Sequence, residues 1–92
     1  MPKIEDKAIN KRSINMTVQI AQIKAARAMV GWTAQDLANA SKVGVATIRR
    51  AESEGTLERM HEANKHALRM ALEQAGIEFL SDGAAIGVML RR

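Results

Sequence analysis

The sequence predicts a mainly helical fold, five short helices followed by a C-terminal β-hairpin. Three observations predict it. Apolar residues recur at helical spacing in short successive segments between Val18 and Ala75. Gly31, Gly44, Gly55 and Gly76 punctuate those segments at points where a helix would end or begin. After Gly76 the pattern changes to two short apolar runs, residues 77–80 and 86–90, around the turn formers Ser81, Asp82 and Gly83.

Taken in order, residues 1–16 are polar, contain Pro2 and carry both charge signs, which predicts a flexible basic arm. A solvated tail is the favoured reading, and an arm that contacts DNA or clasps a partner chain is the other. Thr17 is the expected N-cap of the first helix, with Ile23, Ala26 and Val30 on its inward stripe and Gly31 as its stop. Thr33 starts a second helix, and Asp36 three residues on supplies a weak capping box. Ala34, Leu37, Ala38 and Ser41 fall on one face of that helix. A break at Lys42, Val43 and Gly44 leads to a third helix from Val45 to about Glu54, closed by Gly55. Residues 56–63 are expected to hold a short fourth helix around Leu57 and Met60. Asn64 would cap a fifth, burying Leu68, Ala71, Leu72 and Ala75. The hairpin follows, over residues 77–92. An isolated hairpin is marginal in water, so it must pack on the helices or join another chain's sheet. The division is thus an arm (1–16), a helical unit (17–76) and a hairpin (77–92).

Composition narrows the function classes. A chain of 92 residues makes one domain with a thin core, and such domains often gain stability by pairing with a second copy. The hydrophobic fraction of 47% argues against wholesale disorder. Trp32 and Phe79 are the only aromatics, so the core must be aliphatic. The absence of cysteine excludes disulfides and thiolate metal sites and fits a reducing compartment. No apolar run approaches the roughly 20 residues that span a bilayer, and residues 1–13 lack an apolar signal core. The expectation is a cytoplasmic protein with no membrane partner. The net charge of +4 gives the surface an attractive field for phosphates, which alone raises the case for nucleic acid only modestly.

The informative stretch runs from Thr33 to Glu52. Two short helices with a three- or four-residue break fit a helix-turn-helix, whose second helix enters the major groove. On the third helix, Val45, Ala46, Arg49, Arg50 and Ser53 share one arc, while Ile48 and Ala51 turn inward to meet Leu37 and Ala38. Arg can bond the O6 and N7 of guanine bidentately, and Val or Ala can touch a thymine methyl. The expected base-contacting set is therefore Val45, Ala46, Arg49 and Arg50. Arg50 is assigned to a base edge and Arg49 to either a base or a phosphate.

The sequence resembles the Cro/repressor-type, or XRE-like, helix-turn-helix regulators. The pieces that carry the resemblance are Ile23-Lys-Ala-Ala-Arg-Ala-Met-Val-Gly-Trp32, Asp36-Leu-Ala38, Val45-Ala-Thr-Ile-Arg-Arg-Ala-Glu52, and Ala71-Leu-Glu-Gln-Ala-Gly-Ile-Glu-Phe79 leading to Gly87-Val-Met-Leu-Arg91. Together they span roughly three quarters of the chain. The resemblance implies a repressor-like domain bound to double-stranded DNA as a homodimer on a near-palindromic operator. It implies that Arg27 and Glu52 pair between the first and third helices. Phosphate contacts are expected from Arg27, Thr33, Gln35, Thr47 and Arg59, and dimer contacts from Ile77, Phe79, Ile86, Val88 and Leu90 of the hairpin. Three positions depart from the family's pattern. Lys42 stands where a left-handed Gly is usual, so the turn either differs slightly or carries strain of about 1 kcal/mol. Gly44 replaces the usual Ser or Thr cap of the recognition helix, and Ala34 the usual Gln.

Other chemistry finds little support. His61 and His66 are five apart, with no third His nearby, so no metal site is expected. No nucleophile, base and acid fall at a productive spacing, and neither an enzyme nor a cofactor is expected. Met29, Met60, Met70 and Met89 read as core or interface filler. The alternative to a regulator is an antitoxin or adaptor on the same fold, using the apolar hairpin to hold a protein partner.

Overall fold

The computed structural model describes residues 17–91. Four helices precede a hairpin: α1 (Ile20–Val30), α2 (Ala34–Ser41), α3 (Val45–Glu54), α4 (Glu62–Gln74), β1 (Ile77–Ser81) and β2 (Ile86–Leu90). The predicted arm lies outside the described residues.

Each helix start and stop has a local cause. Helix α1 begins at Ile20, because Gln22 Oε1 accepts from the Gln19 N–H at 2.9 Å. The cap is thus Gln19, and Thr17, the predicted cap, stays exposed before it. Gly31 ends α1 in the left-handed region at φ 74°. Helix α2 is capped as predicted. Thr33 Oγ1 accepts from Asp36 N–H at 3.0 Å, and Asp36 Oδ2 accepts from Thr33 N–H at 2.9 Å.

The count of five helices is corrected to four among the described residues. Gly55 closes α3 at φ 76° and His61 already caps α4, so only residues 56–60 lie between them. Five residues are too few to repay the nucleation of a separate helix. They form turns instead, with Met60 N–H donating to the Leu57 carbonyl at 3.0 Å. Leu57 and Met60 are nevertheless buried, as their spacing suggested. Helix α4 begins at Glu62, ahead of the expected Asn64 cap. The His61 carbonyl accepts from both Asn64 and Lys65, and Glu62 places a negative charge in the first turn.

One aliphatic core joins all the elements. Ile23 and Ala26 of α1, Leu37 of α2, Ile48 and Ala51 of α3, and Leu68 and Leu72 of α4 meet Ile77 and Phe79 of β1. The hairpin pairs antiparallel, with Phe79 opposite Val88 and Leu80 opposite Gly87. Its inner face, residues 77, 79, 88 and 90, lies on the helices. Gly76 makes the junction possible. A Cβ there would stand 3.0 Å from the Arg91 carbonyl oxygen, and its φ of 106° suits no other residue.

Gln22 anchors the hairpin to α1. Only 2% exposed, it donates from Nε2 to the carbonyls of Leu80 (3.0 Å) and Gly87 (2.9 Å), one on each strand. With Oε1 accepting from Gln19, both amide donors and one acceptor site are used.

Candidate nucleic-acid interface

The α2–turn–α3 unit is held from inside. Leu37 and Ile48 are fully buried against each other's elements, with Ala38, Val43 and Ala51 around them. Ser41 fixes the turn. Its Oγ donates to the Leu37 carbonyl at 2.7 Å and accepts from the Val43 N–H at 3.2 Å, satisfying a buried donor at the exit of α2. Lys42 takes the left-handed conformation at φ 65° while its N–H donates to the Ala38 carbonyl at 2.8 Å. Of the two outcomes left open for this position, the turn keeps its left-handed geometry and carries the strain.

Arg27 and Glu52 form the predicted pair. Arg27 Nε donates to Glu52 Oε2 at 3.0 Å and Nη2 to Oε1 at 2.8 Å, a bidentate fork joining α1 to α3. Nη1 donates to the Trp32 carbonyl at 2.9 Å, so the loop before α2 is held by the same guanidinium. Three of the five N–H donors are thereby engaged. The side chains are 22% and 14% exposed, which makes this a half-buried strut with a narrow solvent face.

The outer surface of α3 carries a different set. Ala46, Arg49, Arg50 and Ser53 are exposed together, and Ile48 and Ala51 are buried opposite, as the helical wheel requires. Val45, on the same arc, is half-buried against the core. Arg49 and Arg50 have no hydrogen bond or ion pair among the described residues. The other described arginines do. Arg27 pairs with Glu52, Arg69 with Glu73 and Arg91 with Glu78, while Arg59 stands 3.9 Å from Glu54. Among the described residues no carboxylate neutralises the outward arginines of α3.

The expected phosphate-contacting residues divide. Thr33 is exposed and uses its oxygen as a cap acceptor, which leaves its hydroxyl proton to donate. Gln35 is exposed and donates to Asn39 Oδ1 at 3.0 Å along α2. Thr47 is half-buried in the first turn of α3. Arg59 is 83% exposed in the turns between α3 and α4. Gly44 caps α3 without a side chain, so no hydroxyl occupies the N–H groups that open that helix.

Of the hairpin residues expected at a dimer contact, two are corrected. Ile77 and Phe79 are buried in the chain's own core, because alternation puts them on the face that rests on the helices. Val88 and Leu90 share that face and are half-buried. Ile86 remains exposed, as does Met89 on the opposite face, both at 42%. Sequence reasoning missed Gln22. Its signal was a polar residue four before Ala26 on the inward stripe, where a buried amide must find partners.

Among the described residues no helix is long and apolar enough to cross a membrane. No protein-family model matches the chain, and no curated protein does.

Proposed function

We propose that the chain is a sequence-specific DNA-binding regulator of the Cro/repressor helix-turn-helix type, acting as a homodimer through the major groove. The observation that carries this reading is the pair Arg49 and Arg50. They stand exposed and unneutralised on the one helix of a helix-turn-helix that can enter a groove. Beside them Ala46 leaves room for close approach to base edges. The Arg27–Glu52 strut sets the angle of that helix against α1, so its side chains are aimed before DNA arrives. Thr33, at the start of α2, and the uncapped start of α3 supply donors suited to the flanking phosphates.

Arg50→Ala tests it. Binding to the preferred duplex is expected to weaken by about 1–3 kcal/mol, and the preference at one or two base pairs to flatten. A variant that keeps both affinity and preference removes α3 as the reading element. A stoichiometric foreign protein held by a chain that shifts no duplex at low salt would favour an adaptor instead.

A further inference from the structure

Lys42, at φ 65°, is the one non-glycine residue with a left-handed backbone among the described residues. The same cap position is glycine after α1 and after α3, Gly31 at φ 74° and Gly55 at φ 76°. A side chain in that region is strained, because its Cβ crowds the following carbonyl oxygen. Strain of this kind clusters where ligands are held.

No contact of the lysine side chain inside the chain offsets the strain. Lys42 is exposed between the buried Ser41 and Val43, and its ammonium has no hydrogen bond or ion pair among the described residues. The turn is held by the Ser41 hydroxyl and by the Lys42 N–H, neither of which needs a lysine side chain. A cation at the end of α2 favours the helix dipole, but when exposed it contributes less than the strain.

The charge also belongs to a pattern. From Arg59 onward every described lysine and arginine stands beside a carboxylate, at 2.9 to 3.9 Å. Before it Arg27 is paired with Glu52, whereas Lys24, Lys42, Arg49 and Arg50 have no carboxylate partner among the described residues. Three of these four lie in the turn and on the outer face of α3.

We propose that Lys42 binds a backbone phosphate of the duplex, and that the strained turn serves this contact. The proposal rests on the DNA-binding reading and adds a contact residue where the family that the chain resembles usually has glycine. On that reading the start of α3 enters the major groove. Lys42 precedes Val45 by three residues, at most about 10 Å of chain, and its flexible stem extends that reach. The groove is about 12 Å wide, so the ammonium reaches the phosphates on its rim. A phosphate contact carries no sequence information. Lys42 therefore adds affinity for any duplex and leaves the choice of sequence to the outer face of α3.

Binding of the full chain to a random-sequence duplex and to its preferred duplex, each across a salt series, tests the contact. Lys42→Gly is expected to lower the slope of log K against log salt by about one on both duplexes. At about 0.1 M salt that is a loss of about tenfold in affinity, equal for the two, with base preference unchanged. Lys42→Asn, also neutral and tolerant of the left-handed region, is expected to match it. Lys42→Arg is expected to keep the wild-type slope. Denaturant unfolding of the same variants shows that they are folded, and Lys42→Gly is expected to have the higher midpoint. Weaker binding by a more stable protein is a result that a purely structural lysine does not give. Lys42→Gly and Lys42→Asn with the wild-type slope overturn the proposal, and so does Lys42→Arg losing slope with them. Wild-type binding is intact in both cases, so the DNA-binding reading stands. A wild type that shifts no duplex at low salt removes that reading, and the contact with it.

Discussion

At the residue scale, the arginines of α1 and α3 divide into one that is paired and two that face outward. Arg27 is gripped by Glu52 and the Trp32 carbonyl, while Arg49 and Arg50 are left to solvent. The family resemblance implied the Arg27–Glu52 pair, and the helical wheel made the outward placement of Arg49 and Arg50 legible. Lys42 shows what a single residue costs. A non-Gly side chain at φ 65° is disfavoured by about 1–2 kcal/mol, and glycine recovers most of that while adding unfolded-state entropy. Lys42→Gly is therefore expected to stabilise the protein by about 0.5–1 kcal/mol, seen as a higher denaturation midpoint at unchanged slope. An unchanged or lower midpoint would mean that the turn is not strained. Gln22 was less legible. A glutamine on an inward stripe announces that it needs partners, but the carbonyls of Leu80 and Gly87 are far away in sequence, and only the packed hairpin brings them there.

At the element scale, boundaries written by strong local chemistry were legible. The Thr33–Asp36 capping box and the glycines at 31, 55 and 76 each stand where the chain turns. Boundaries decided by competition were not. Residues 56–63 have helical spacing, yet α4 takes the last of them and Gly55 removes the start, leaving turns. The hairpin's apolar face was legible in the alternation, with Glu78 on the other side, but not that this face rests on the chain's own helices. Gln22 resolves how the hairpin is attached. Gln22→Leu keeps the size but removes both donors, so it is expected to destabilise the protein by about 1–2 kcal/mol. Amide exchange should quicken in β1 and β2 more than in α2 and α3. Equal loosening of all elements would show that Gln22 is ordinary core and not the hairpin's anchor.

At the scale of the whole molecule, the chain carries +4 charge, and Arg49 and Arg50 make the outer face of α3 cationic. The proposed DNA binding is expected to weaken as salt rises, because each neutralised phosphate releases counterions. Arg49 has two possible roles, and salt separates them. Arg49→Ala is expected to lower the slope of log K against log salt by about one if it holds a phosphate, and to flatten one base preference if it reads a base. A variant that changes neither would take Arg49 out of the interface. Two copies joined by a two-fold axis would present two such helices to one face of the duplex, so recognition sites should be inverted repeats with centres roughly 34 Å apart. Selection of bound sequences from random duplex DNA by the full chain tests the central claim most directly. The account predicts enrichment of an inverted repeat with half-sites one helical turn apart, and Arg50→Ala relaxing the same one or two positions in each half. A pool that is never enriched at low salt, or a consensus indifferent to Arg50, would contradict it.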